Sequence, residues 1–252
     1  MTPVPVEVAL VGAAAFVAGL VNAVAGGGSL LTFPALIGVG LPPVVASLTN
    51  TVALCPGYLG AAIAQRKLLA DQKDRMWRVL PAAALGGVAG ALLLLNTDPR
   101  AFDVIVPFLI LFAVGLLAMQ DRVRRWLEAR GKTERAAAWA AVPVGLGAIY
   151  GGYFGAGLGV ILLASLAVVH ADSLTRINAL KQTVSLVVNT AAAVVFLFSK
   201  QVDWPSCGVM LVASLGGGVL GGAIASKVKP AVLRWMVVVG GTSVAVAMFA
   251  RW

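Results

Sequence analysis

The chain has 252 residues, 60% of them hydrophobic and 12% charged, with a mean hydropathy of +0.95. Soluble domains carry about 25% charged residues, so most of this surface is expected to face lipid. The net charge of +9 does not mark a nucleic-acid binder, because the Lys and Arg residues sit in short loops between apolar runs and not interleaved with aromatics.

Runs of about 20 apolar residues are long enough, at 1.5 Å per residue, to cross about 30 Å of hydrocarbon. The first, 6–25, has no basic segment before it and is expected to be retained as a membrane helix instead of being cleaved. Next come Gly26-Gly27-Gly28 and a short apolar piece, 29–40. Long runs follow at 43–65, 77–95 and 101–119, and then the longest polar stretch, 120–136 (QDRVRRWLEARGKTERA). The second half repeats the order: a long run at 137–156, Gly155-Ala156-Gly157, a short piece at 158–169, and long runs at 173–198, 205–226 and 231–250. The expectation is an all-α, polytopic membrane protein: a first repeat at 1–119, a basic cytoplasmic linker with a short surface helix at 120–136, and a second repeat at 137–252. Each repeat would hold about five membrane elements, one of them a short helix preceded by glycine.

An offset of 129 aligns Gly26 and Gly28 with Gly155 and Gly157. An offset of 132 then aligns Thr51 with Thr183, Gly86 with Gly218, Gly90 with Gly222 and Ala91 with Ala223. Charge placement bears on orientation. With five crossings per half, Arg66, Lys67, Lys73, Arg75, Arg78, the linker cations, Arg176, Lys227, Lys229 and Arg234 share one face, leaving Arg100, Lys200 and Arg251 on the other. This separation favours inverted halves. If the short pieces only dip in and return, there are eight crossings and Lys227, Lys229 and Arg234 change sides.

No Asp or Glu lies deep in an apolar run. A single His170, two cysteines in apolar stretches and no C-x-x-C argue against a metal site, a cofactor or triad catalysis, so no enzyme activity is expected. Attention goes to 173–198, where Asn178, Lys181, Gln182, Ser185 and Asn189 fall on one helical face. Either Lys181 snorkels while the amides bond neighbouring helices, or the stripe faces a polar cavity and Lys181 offers positive charge to an anion. The equivalent helix of the first half carries Thr49 and Asn50 at that place, so the two polar faces would meet at the repeat interface.

Each glycine cluster precedes a short helix whose first N–H groups carry the positive end of its dipole. Gly26, Gly27, Gly28, Gly155 and Gly157 therefore form candidate anion niches, or else serve only for tight bends. Gly86-x-x-x-Gly90 and Gly218-x-x-x-Gly222 suit close helix packing. Asn22, Tyr150 and Tyr153 precede the clusters and could line a cavity, or the tyrosines could be ordinary interfacial residues. The expected partners are a small anion and membrane lipid, not nucleic acid. A carrier of lipid-linked phosphate and a non-transporting membrane scaffold are the rival readings.

The stretch GLVNAVAGGGSLLTFPALIGVGLPPVVASLTNTVAL, with NALKQTVSLVVNTAAAVVF in the second half, resembles the sulfite exporter TauE/SafE family of membrane permeases. The resemblance covers both halves, essentially all but the linker. It implies transport of sulfite or an organosulfonate such as sulfoacetate, and a bacterial inner-membrane address. The second cluster, GAGLG, departs somewhat from the family pattern.

Overall fold

The computed structural model describes residues 5–129, 140–170, 172–225, 227 and 231–249. Among them the secondary structure is wholly helical: α1 (Pro5–Val24), α2 (Ser29–Gly38), α3 (Pro43–Ala64), α4 (Lys73–Leu95), α5 (Pro99–Ala129), α6 (Ala141–Tyr153), α7 (Leu158–Val169), α8 (Leu174–Phe198), α9 (Trp204–Ile224) and α10 (Ala231–Phe249), with one 3-10 turn at Arg66–Leu69. Among the described residues, six helices are long and apolar enough to cross a membrane: α1, α3, α4, α5, α8 and α9. Leu85, Val212, Phe198 and Val239 are exposed, as a lipid-facing surface requires. Trp77, Trp126, Trp204 and Trp235 are exposed near helix ends, the usual position of an interfacial belt.

Two expected boundaries move. Residues 120–129 of the stretch expected to be linker are the last turns of α5, not a separate surface helix; the remainder, 130–136, lies outside the described residues. Their charges made them read as loop, but a helix that leaves the bilayer gains polar residues without losing its hydrogen-bond ladder. Within 137–156, of which 140–156 are described, the helix is α6, only 13 residues long.

Side-by-side contacts fix helix directions. Gly12 and Leu20 of α1 lie against Val209 and Gly221 of α9, and Gly57 and Ala61 of α3 against Gly218 and Gly222. Thus α1, α3 and α9 run the same way. Gly86 and Gly90 of α4 lie against Gly145 and Ile149 of α6, and Gly87 against Val188 of α8. Since Gln72 Nε2 also donates to the Arg176 carbonyl, α4, α6 and α8 run together. They oppose the first set: Asn178 of α8 donates to Gln65 just past α3, while Tyr58 packs with Leu186. Helix α9 is to α1 and α3 what α4 is to α6 and α8.

These close approaches rest on glycine. A Cβ at Gly86, Gly90, Gly217 or Gly218 would collide with backbone of the facing helix, so the glycine pairs bring helices together where lipid offers no hydrophobic drive. They also bear on the register of the expected repeat. Gly86, Gly87 and Gly90 do the work of Gly217, Gly218 and Gly221, an offset of 131, not 132. The runs Gly216-Gly217-Gly218 and Gly221-Gly222 hide that slip in the sequence, since either offset lays glycine on glycine. In the corrected register Asn50 is the counterpart of Lys181.

The short helices turn back. Gly28 abuts Ala18, part-way along α1, and Val39 and Leu41 past α2 line a cavity with Val8 and Val11 near the start of α1. Ten residues of α2 span about 15 Å, half the hydrocarbon thickness. Helices α1 and α2 thus form a broken hairpin that starts and ends at one face, and α7 likewise runs back along α6, with Leu158 against Gly151 and Ile161 against Gly147. The loop after α3 and the start of α8 share a face: Asp172 accepts from Arg75 Nη1 at 2.6 Å and Arg176 Nε at 3.0 Å, and Arg176 Nη2 donates to the Ala70 carbonyl. The buried Arg234 of α10 pairs with Asp121 of α5.

Candidate functional site

The last residues of α1 and the turn after it are buried, Asn22, Ala23 and Ala25 among them, so the carbonyls at that end need partners from the protein. Side chains of other helices supply the donors. Gln182 Nε2 donates to the carbonyls of Asn22 (3.0 Å) and Ala23 (2.8 Å), and Asn178 Nδ2 to that of Ala23 (3.1 Å). Gln120 Nε2 donates to the Ala25 carbonyl at 2.8 Å, and Lys181 Nζ to that of Asn22 at 3.3 Å. The polar face of α8 therefore docks on the C-terminal end of α1, whose partial negative charge suits an ammonium. Lys181 does not snorkel. It is 1% exposed, and its Nζ makes that one hydrogen bond and no ion pair among the described residues.

The two glycine breaks meet beside it. Gly26 and Gly27 have φ of +84° and +90°, Gly155 and Gly157 +77° and +78°, in the left-handed region that favours glycine. Gly28 differs from expectation: its φ is −57°, and its need for hydrogen comes from the backbone of Ala18. A Cβ at Gly159, in the first turn of α7, would lie 3.0 Å from the Gly26 Cα and 3.6 Å from Lys181 Nζ. The ammonium thus sits between the negative end of α1 and the positive end of α7. Asn22, 4% exposed, ties the start of α2 into the same cluster, its Oδ1 accepting from the Gly28 N–H at 2.7 Å. Tyr150 braces the second break by donating its hydroxyl to the Ala156 carbonyl.

Of the expected residues, Lys181, Gln182, Asn178, Asn22, Gly26 and Gly28 converge. Others do not. Gly27 packs against Leu117 and Gly157 against Ala113, both on α5, and Gly155 lies by the Gly151 carbonyl. Asn50 accepts from Thr32 of α2. Thr49 is turned to the loop before α9, accepting from the Asp203 N–H at 2.9 Å, and Asn189 donates to Ser185 of its own helix. The 3.6-residue period selects a face of α8 but not how far along it a partner helix extends.

Gln120, Gln65, Thr32 and Gly159 escaped the sequence reading. Gln120 heads the charged stretch and looked like its first loop residue. Its Oε1 and that of Gln182 are buried without a hydrogen-bond partner. Among the described residues no group of His, Cys, Asp or Glu is disposed to hold a metal ion. A separate cavity of about 300 Å³ lies at the face where α1 begins, lined by Glu7, Val11, Leu41, Asp203 and neighbours. On the opposite face, partial burial would raise the Asp172 pKa. The Ser173 N–H and the guanidinium groups of Arg75 and Arg176 outweigh that and hold the carboxyl below its ordinary value.

A model of the family described as sulfite exporter TauE/SafE matches residues 11–248. The chain is 32% identical over 232 residues to a probable membrane transporter protein of Haemophilus influenzae, covering 89% of this chain and 87% of that one. It is 28% identical over 236 residues to the probable membrane transporter protein YfcA of Escherichia coli K12, covering 89% and 83%. A probable membrane transporter protein, ORF9, of a Sinorhizobium species is 25% identical over 238 residues, covering 94% and 90%. No solved structure matches.

Proposed function

Because the chain belongs to the sulfite exporter TauE/SafE family of membrane transporters, we propose that it carries a small anion, sulfite or an organosulfonate such as sulfoacetate, bound at the interface of two inverted repeats. One observation carries this reading. Lys181 is a buried cation with no carboxylate paired to it among the described residues, placed where the two glycine breaks touch. A buried charge is costly unless paired, and the dipole end of α1 supplies only about half an elementary charge. An anion would complete the balance. Gln182 and Asn178 would keep their hold on α1, while the first turns of α2 and α7 would offer N–H groups to substrate oxygens.

The exchange of helix contacts between halves and their opposed directions support the inverted repeat. The basic face, with Arg75, Arg176 and Arg234, would lie in the bacterial cytoplasm and the Glu7–Asp203 cavity outside. Alternating access would then rock one broken hairpin against the other around the Lys181 cluster.

A panel of sulfite, sulfoacetate, sulfate, phosphate and acetate tested by thermal unfolding of the purified protein checks the reading, because a ligand of the folded state raises the melting temperature with its occupancy. Sulfite or sulfoacetate should stabilise at concentrations where acetate does not. No response to any anion, together with no uptake of sulfite or sulfoacetate into reconstituted vesicles, rules it out.

A further inference from the structure

We infer that the Asn22 side chain is a built-in stand-in for a substrate oxygen, holding the start of α2 until the anion displaces it. The inference rests on the anion reading above and adds a competitor to it. Four observations converge on Asn22. Its Oδ1 accepts from the N–H of Gly28, the residue that caps the start of α2, at 2.7 Å, where an anion oxygen would otherwise bind. Its own carbonyl is held by Lys181 and Gln182, so one residue is tied at once to the cation and to the helix start. The site is sealed: Asn22 is 4% and Lys181 1% exposed. Gln182 Oε1, on a fully buried side chain of the same cluster, has no hydrogen-bond partner, which leaves room in the polar inventory for another group.

The chemistry explains why an amide suits the position. An unpaired N–H in the membrane interior is costly, so the ligand-free carrier needs an acceptor at Gly28. A carboxylate there would also neutralise Lys181 permanently and leave nothing for a substrate to do. A neutral carboxamide satisfies the N–H while leaving the ammonium unpaired. An anion offers both, an acceptor for Gly28 and a negative charge for Lys181, and so displaces the amide. Once released, the side chain no longer clips α2 to the end of α1, and the broken hairpin is free to shift.

Asn22→Ala and Asn22→Asp in the full-length protein separate the possibilities, with sulfite and sulfoacetate as probes and thermal unfolding as readout. Asn22→Ala removes the competitor. It should melt lower without ligand, yet bind the active anion as tightly as wild type or up to about tenfold tighter, the worth of one hydrogen bond. Asn22→Asp supplies the charge internally. It should melt higher than wild type without ligand and lose the anion-dependent rise. Loss of anion binding in a folded Asn22→Ala would make Asn22 a direct ligand and overturn the inference, as would an undiminished response in Asn22→Asp. A wild-type protein that ignores every anion removes the anion reading as well, and that outcome differs from failure of either variant.

Discussion

Replacing Lys181 with methionine keeps the unbranched chain and removes only the charge. The structure sets the expected size of the effect. Lys181 is 1% exposed, and its ammonium holds one acceptor, the Asn22 carbonyl at 3.3 Å, which also receives Gln182 Nε2 at 3.0 Å. No acceptor is orphaned when the ammonium is lost. Keeping a charge buried costs several kcal/mol. Against this stand a charged hydrogen bond of about 1.5–3 kcal/mol and about 0.3–2 kcal/mol from the end of α1. The ligand-free Lys181→Met protein should therefore be as stable as wild type or more so, by up to about 2 kcal/mol. Anion binding should weaken by the worth of a charged hydrogen bond, about 10–150-fold. Melting curves with and without the anion measure both quantities, and uptake into vesicles at equal protein amount measures the consequence. Lys181→Arg should restore little, because its wider fork has to fit against Gly159 and Gly26, where a Cβ at Gly159 would already lie 3.0 Å from backbone. Wild-type anion affinity in Lys181→Met refutes the role of the charge, and a lower ligand-free melting point refutes the account of its burial.

Single-cysteine labelling tests sidedness: with Cys55 and Cys207 replaced by serine, Arg66→Cys and Lys227→Cys should both resist a membrane-impermeant thiol reagent in intact cells, and labelling of Lys227→Cys alone would reverse the last helices. Gly28→Ala should destabilise strongly, by about 3 kcal/mol or more, because its Cβ meets the Ala18 backbone. Gly157→Ala should cost about 1–2 kcal/mol through its φ of +78°, and urea or thermal melts in detergent distinguish the two. The lowered pKa of Asp172 means that its pairing stabilises the fold above the ordinary carboxylate pKa, and that this contribution is lost as pH falls through the lower folded value. Asp172→Asn should therefore melt lower at pH 7 and show a shallower fall in stability between about pH 5 and 3; a slope equal to wild type counts against the Arg75–Asp172–Arg176 cluster.

Membrane class and the order of the helices follow from the sequence because they depend on local quantities: the length of apolar runs, the scarcity of charge within them, and glycine at the breaks. The polar face of α8 was legible for the same reason, since a helix periodicity needs no partner to be seen. The partner was not legible. Nothing local says that Asn178, Lys181 and Gln182 meet the last carbonyls of α1, or that Gln120 joins them from α5, because those meetings depend on where α1 stops in depth and which helix crosses beside it. Likewise, glycine runs tolerate a slip of one residue in the sequence. The backbone does not: a Cβ lands on a carbonyl at Gly217 and Gly218, and this steric condition set the offset at 131 and made Asn50 the counterpart of Lys181. Asn189 shares the face of Gln182 but lies two turns farther along α8, where it donates to Ser185 of its own helix, and Thr49 accepts from the Asp203 N–H instead; which stretch of a polar face a partner helix covers is decided by packing.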